Sequence, residues 1–336
     1  MLVSELDYEL PEDLIAQRPA EPRDASRLMV VDVKRNTIAH HTFRDLPDFL
    51  GPGDALVLNE TKVIPARVEA RKPTGGEVEL LFLKDLGPDY GGSWEVLARP
   101  SKRLRPGLVL FAGGEQLKLV KSLGEGHWAV SGPDVHGLIG RSGRMPLPPY
   151  IRPTSEAEER YQTVYARNEG SAAAPTAGFH FTERVLGDAE RAGADVARIT
   201  LHVGVGTFMP VRTERLEEHT MHAERYVVPR EAAKAVKGAR CVVAAGTTVA
   251  RTLETWAGTG EPEGESKLFV YPGYRWLAVD ALLTNFHLPR STLLAMVMSF
   301  GGEELVREAY RAAVRERYRF YSFGDAMLLL DGGRRR

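Results

Sequence analysis

Between Val63 and Ser131 the chain offers six short strand-like runs and no amphipathic helix of useful length. The runs are Val63–Arg71, Glu77–Lys84, Ser93–Ala98, Leu108–Phe111, Leu117–Leu123 and His127–Val130, separated by turns rich in Gly and Pro. That spacing predicts a small antiparallel barrel. On either side the pattern differs, because apolar strands there alternate with helical segments. The expected architecture is therefore α/β: a larger domain with a mixed sheet flanked by helices, and an antiparallel β-barrel inserted into it. Residues 1–62 and 150–336 fall to the α/β domain and 63–149 to the barrel. The Gly- and Pro-rich crossover His136–Ile151 marks the return.

At 336 residues the chain can bury the cores of two domains. Its net charge of −1 excludes a global basic field, so a nucleic-acid partner has to be held by local patches. Cys241, the one cysteine, cannot form an intrachain disulfide or a Cys-rich zinc site and reads as a buried structural thiol. Met1–Tyr8 is too charged for a signal peptide and no long apolar span follows, so a cytoplasmic location without membrane contact is expected.

Two stretches carry histidine beside glycine. Ala174–Thr182 and Ile199–Thr207 both read as strands, and strand side chains alternate. In the second, Leu201, Val203 and Val205 share one face, while Thr200, His202, Gly204 and Gly206 share the other. In the first, Phe179 and Phe181 oppose Gly178, His180 and Thr182. Each pattern places an imidazole next to bare backbone, as the floor of a pocket would. The alternative is a pair of hydrogen-bonded core histidines with glycines at bulges. Thr182 is the expected cap of a helix through Ala192, with Gly193 as its stop.

Other polar groups follow strands. Asp54–Asn59 runs into the polar loop Asn59–Arg67, and Val279–Asn285 ends at Asn285 and His287. Val242–Ala245 meets Gly246-Thr-Thr248 and then a helix, whose free N–H groups suit a phosphate or a carboxylate. The run is neither a P-loop nor a G-x-G-x-x-G fingerprint. His219 and His222, with Glu218 and Glu224 nearby, invite a metal reading but lack the His-Glu-x-x-His pattern and any Cys partner; no metal is expected. Arg99-Pro-Ser-Lys-Arg-Leu-Arg105 puts four cations in seven residues, with Arg67, Arg71 and Lys72 upstream and Arg141, Arg144 and Arg152 around the crossover. Such a run is either a solvated loop or a hold on RNA backbone.

Pro175–Thr182 followed by Leu201–Phe208 closely resembles the S-adenosylmethionine:tRNA ribosyltransferase-isomerases of queuosine biosynthesis. So do Asn59–Arg67, His219-Thr-Met-His222, Gly246-Thr-Thr248 and Leu283–Pro289, in the family's order over essentially the whole chain. The resemblance implies the two-domain plan already reached. It further implies transfer and isomerisation of the ribosyl part of S-adenosylmethionine onto 7-aminomethyl-7-deazaguanine at the wobble position of tRNA. The tRNAs are those with GUN anticodons, for Asp, Asn, His and Tyr; epoxyqueuosine forms, and adenine and methionine leave. S-adenosylmethionine is then a consumed substrate, and no cofactor is expected.

That chemistry needs a base for a C5′ proton beside the sulfonium, and His suits the task near neutral pH. His180 and His202 are therefore placed at the reacting ribose, with Thr176, Gly178, Gly204, Gly206 and Thr207 around the substrate. Thr247, Thr248 and Arg251 are assigned to the methionine end. Asn59, Thr61, Arg67, Asn285 and His287 are assigned to the pocket rim. Arg99, Lys102, Arg103, Arg105, Arg141 and Arg144 are the candidates for tRNA backbone. Two other readings stay open: an S-adenosylmethionine-dependent tRNA methyltransferase, against which the missing early Gly-x-Gly loop counts, and a non-catalytic RNA-binding protein built round the barrel. A monomer and a weak dimer are equally compatible with the sequence.

Overall fold

A strand whose every residue is apolar or capped forms where both of its faces can be covered, and the centre of the larger domain is built that way. The structure, a computed structural model, describes residues 1–204, 211 and 213–330. Strands β1 (Arg27–Asp32) and β2 (Thr37–Thr42) form a hairpin, with Arg27 opposite Thr42. All six residues of β3 (Asp54–Asn59) are buried. Ala55 and Val57 pack into one core layer, and Leu56 and Leu58 into the opposite one. The short β4 (Thr61–Val63) leads away from the sheet edge toward the barrel.

The barrel closes from six antiparallel strands: β5 (Arg67–Arg71), β6 (Glu77–Asp85), β7 (Trp94–Arg99), β8 (Val109–Ala112), β9 (Glu115–Gly124) and β10 (His127–Ser131). Their order round the barrel is β10-β7-β6-β5-β8-β9. Closure removes the sheet edges. Inward residues such as Val68, Leu80, Phe82, Val96, Leu110 and Trp128 fill the interior. Helix α1 (Val135–Ser142), capped by Asp134, lays Val135, Leu138 and Ile139 against that filling. The chain enters and leaves through one neck, where Arg67 N–H donates to Arg144 O at 3.1 Å and Arg144 N–H to Arg67 O at 2.8 Å.

After α2 (Ser155–Arg160), β11 (Asn168–Ser171) pairs in parallel with β4. Helix α3 (Glu183–Arg191) starts as expected at Thr182, whose hydroxyl accepts from Val185 N–H. Then come β12 (Asp195–Leu201), β13 (Glu224–Val227), α4 (Arg230–Gly238), β14 (Cys241–Ala245), α5 (Thr247–Thr259), β15 (Glu263–Ser266), β16 (Ala281–Asn285), α6 (Thr292–Gly301), α7 (Glu303–Arg315) and β17 (Ala326–Leu330). The main sheet has nine strands in the order β15-β13-β12-β3-β14-β16-β17-β1-β2. Its middle, β12-β3-β14-β16, is parallel, and the flanks bring antiparallel pairs. Helices α4 to α7 contribute to the core layer on one face; α3 and the turn around Phe43 and Leu46 contribute to the other.

Three expectations change. Ala174–Thr182 is not a strand: Thr176–His180 is a 3-10 turn in which Ala177, Gly178, Phe179 and His180 are all buried, so polar and apolar positions carried no alternating burial. The strand of the second stretch ends at Leu201, where Val203 makes an isolated bridge to Ala173. Cys241 opens β14 and is half-buried.

Candidate functional site

In an open α/β sheet, ligands gather outside the carboxyl ends of the parallel strands. Here those ends deliver Asn59 from β3, His202 after β12, Gly246 and Thr247 after β14, and Asn285 and His287 from the end of β16. Two hollows lie there and share Val203 in their walls. One is a narrow cleft of about 60 Å³ and the other a cavity of about 660 Å³.

The narrow cleft is bounded by two helix starts. Gly246 precedes α5, with φ +108° and no side-chain cap. Ser291 precedes α6 and accepts from Leu294 N–H. Thr247 and Thr248 stand at the first of these, and Thr176, Asn285, His287, Tyr150 and Tyr321 complete the wall. Uncapped N–H groups and the positive end of the helix dipole favour an anion there. Tyr150 and Tyr321 stack at 4.7 Å, and Tyr321 holds φ +68°, a conformation costly for a bulky residue and found at functional sites. His287 Nε2 lies 2.7 Å from Thr284 Oγ1, and burial pulls its pKa down to about 3.

The larger cavity separates the barrel from the α/β domain. Ile64, Trp94, Glu95 and His127 face Glu169, His202, Gly204 and Glu224 across it. Lys84 of the barrel bridges to Glu265 of the main sheet at 3.0 Å. His202 stands at the junction with the cleft. Its Nδ1 is 2.9 Å from Thr61 Oγ1, its backbone N–H donates to Arg225 O, and among the described residues Nε2 has no hydrogen-bond partner. Burial first, and the charge of Arg225 second, lower its pKa. Gly170 makes room for the ring: at φ +133°, a Cβ there would sit 3.1 Å from His202 Cε1. A neutral imidazole with one nitrogen anchored and the other free is equipped to take a proton.

His180 is placed otherwise. It is 3 % exposed, its Nδ1 lies 2.7 Å from Ser26 Oγ, and its Nε2 lies 3.2 Å from Asn285 Nδ2. Phe43 stacks on it at 5.0 Å, and burial lowers its pKa to about 4. It faces neither hollow and acts on the cleft through Asn285, whose Nδ2 also donates to Tyr321 O at 3.1 Å and whose Oδ1 is 3.4 Å from Thr176 Oγ1.

Several other expected site residues are engaged within the fold. Asn59 staples β3 to its neighbour, accepting from Leu201 N–H at 3.0 Å and donating to Leu201 O at 3.0 Å, and it lines neither hollow. Thr61 is wholly buried and reaches the site only through His202. Arg67 lies at the barrel neck and donates to Leu147 O at 3.0 Å. Gly178 is needed for space, since a Cβ there would come within 2.2 Å of Tyr165 Oη. Arg251 is buried against Glu224, which also accepts from Gly204 N–H at 2.7 Å, so the guanidinium is neutralised within the fold. Gly206 and Thr207 lie outside the described residues.

Among the candidate tRNA contacts, Arg99, Lys102, Arg103 and Arg105 are exposed and make no ion pair among the described residues. Arg141 is paired with Glu115 and Asp134, and Arg144 with Glu69, which blunts the crossover as an anion site. His219 packs edge-on against Phe269 at 5.4 Å, and no group of three or more His, Cys, Asp or Glu is gathered for a metal among the described residues. No helix among them is long and apolar enough to cross a membrane.

Sequence reasoning missed Glu95, His127 and Gly170 and met Glu224 only in the metal reading, not as the partner of Arg251. Only Glu224 left a signal: Arg251 sits among Val249, Ala250 and Leu253 on an apolar helix, and a buried cation requires an acid.

The family described as queuosine biosynthesis protein matches residues 3–329. An S-adenosylmethionine:tRNA ribosyltransferase-isomerase of Rubrobacter xylanophilus is 72 % identical over 99 % of this chain and 99 % of its own length. One from an Anaeromyxobacter species is 52 % identical over 98 % of this chain and 99 % of its own. The crystal structure of an S-adenosylmethionine tRNA ribosyltransferase from Thermotoga maritima aligns over 97 % of this chain and 100 % of its own, with TM-score 0.56 and 38 % identity. The chain belongs to the queuosine biosynthesis protein family, whose matched relatives here are S-adenosylmethionine:tRNA ribosyltransferase-isomerases.

Proposed function

We propose that this enzyme transfers and isomerises the ribosyl moiety of S-adenosylmethionine onto 7-aminomethyl-7-deazaguanine at the wobble position of tRNA, releasing adenine and methionine. The observation that carries the reading is His202, whose Nε2 has no hydrogen-bond partner among the described residues, at the junction of an anion-suited cleft and a cavity large enough for a nucleotide. The methionine carboxylate goes to the α5 start at Thr247 and Thr248. The ribose lies against His202, which takes the C5′ proton beside the sulfonium. His180 positions Asn285 and makes no contact with the ribose. Arg251 supports the cleft through Glu224 and leaves the carboxylate to the helix N–H groups. S-adenosylmethionine is consumed, and no metal or other cofactor takes part.

The target base leaves the anticodon stack and enters the cavity from the barrel side. The exposed run Arg99–Arg105 holds the tRNA backbone, and Arg141 and Arg144 contribute less because they are paired. The tRNAs are those with GUN anticodons, and the enzyme works in the cytoplasm as a monomer or weak dimer. Single-turnover incubation with S-adenosylmethionine and an anticodon stem-loop carrying the aminomethyl-deazaguanine tests this. Mass spectrometry is expected to show an epoxycyclopentyl adduct with equimolar adenine and methionine. A methyl adduct, or no adduct from folded protein, would refute it.

A further inference from the structure

The barrel wall that faces the large cavity carries a carboxylate with one oxygen held and the other open. Strands β6, β7 and β10 form that wall, with Lys84 opposite Glu95 in the ladder and His127 on the next strand. Glu95 Oε1 accepts from His127 Nδ1 at 2.7 Å, and Oε2 has no partner among the described residues. The contact with His127 holds the Glu95 carboxyl below the usual range, so it faces the cavity ionised.

The other carboxylates around the cavity are paired with lysine or arginine or accept from backbone N–H groups. Glu169 is bound to Lys62 at 2.9 Å and Glu265 to Lys84 at 3.0 Å. Glu224 holds Arg251 and Gly204 N–H, and Asp85 accepts from Gly87 N–H in its own turn at 2.8 Å. Trp94, next to Glu95, lines the same space and meets His136 edge-on at 4.9 Å.

We propose that Glu95 is the residue that selects the target base, accepting the ring N1–H and the 2-amino group of a guanine-type base extruded into the cavity. This rests on the function proposed above and adds to it the site and the chemistry of base choice. Among the common bases only a guanine-type edge offers two adjacent donors, and an ionised carboxylate offers only acceptors. Adenine and cytosine each set a ring acceptor beside one amino donor, and uracil flanks one donor with two carbonyls; a carboxylate faces repulsion from all three. With Oε1 fixed by His127, the plane of the carboxylate is set before the base arrives, so little freedom is lost on binding.

The test compares two anticodon stem-loops, one carrying 7-aminomethyl-7-deazaguanine and one with the same base lacking its 2-amino group. The wild-type enzyme is expected to prefer the first by about 10- to 100-fold in kcat/KM, the range for a lost charge-assisted hydrogen bond. In Glu95→Gln that preference should shrink to about threefold or less, because the 2-amino group no longer meets a carboxylate. The KM for S-adenosylmethionine should stay unchanged, which separates lost recognition from lost fold. Glu95→Asp, which keeps the charge but withdraws it by one methylene, should fall between the two. Undiminished preference in both variants, or no preference in the wild type, overturns the proposal. A wild type that makes no adduct from either stem-loop overturns the proposed function itself, and the assignment of Glu95 with it.

Discussion

The two histidines mark two regions of the same sheet edge, and the regions treat an imidazole in opposite ways. Beside β16 and β17, His180 is enclosed by Ser26, Asn285 and Phe43, with both ring nitrogens engaged. At the end of β12, the His202 ring is held, among the described residues, by Thr61 alone, and it lines the cavity. Both stand two residues after or before a glycine. What separates them is how many partners the fold supplies. A ring with two partners is a strut; a ring with one is a reagent.

The largest expected effect breaks or keeps this contrast outright. His202→Gln should lower kcat by about 10²- to 10⁴-fold, the usual contribution of a positioned base, with little change in melting temperature. Turnover within tenfold of wild type would end the assignment. The companion change, Thr61→Val, leaves Nδ1 without its anchor and should lower kcat less; Thr61→Ser should restore it. Next in size is His180→Ala. It strips two buried hydrogen bonds and an aromatic stack, so it should cost about 2–4 kcal/mol of stability, read from denaturant melts. Activity per folded molecule should fall far less than in His202→Gln; an equal fall would place His180 in the chemistry after all.

Acid sharpens the comparison through the enclosed rings. The pKa of His180 is depressed to about 4 and that of His287 to about 3, both by burial. A depressed imidazole contributes stability that is complete above its unfolded pKa of about 6.5 and is lost as pH falls toward the folded value. Below pH 6.5 the unfolded chain binds protons that these two rings refuse. Each should remove about 2 kcal/mol by pH 5, and melts between pH 7 and pH 5 should show the slope shrinking in His180→Asn. A flat profile would contradict the enclosure. The smallest effect belongs to the basic run. Converting Lys102 and Arg103 to Gln should weaken stem-loop binding and reduce its salt slope by about 1 to 2, whereas Arg141→Gln should change it less. Equal slopes for both would remove the distinction between unpaired and paired cations.

The barrel was legible because each of its strands carries a local signature: alternating apolar residues such as Val78, Leu80 and Phe82, then Gly or Pro at the turn. Strands β3, β14 and β16 of the main sheet and the cap Thr182 were legible for the same reason, whereas β13 and β15 were not read. The segment from Thr176 to His180 was not. In a chain buried on every side a 3-10 turn and a strand present the same residues, and only the partners, Tyr165 above Gly178 and Asn285 beside His180, decide between them. The candidate site was legible as a set of residue types at strand ends, but not as roles. Thr61 and His202 are 141 residues apart, and Glu95 and His127 sit on separate strands. No short motif records such pairings. Asn59 and Arg67 looked like rim residues because polar loops after strands often are; hydrogen bonding to Leu201 and Leu147 absorbed them instead.

The neck of the barrel also bears on how the chain assembles itself. Strands β4 and β11 must meet across the whole insertion, and an unfolded insertion of that length makes the meeting costly in chain entropy, growing with the logarithm of the intervening length. Because Arg67 and Arg144 pair across the neck, a barrel that has already formed cuts the separation between Val63 and Asn168 from about a hundred residues to about thirty, most of them between Arg144 and Asn168. The insertion then counts, kinetically, as a much shorter loop, and the parallel β4–β11 pair that it interrupts forms at a correspondingly smaller entropic cost.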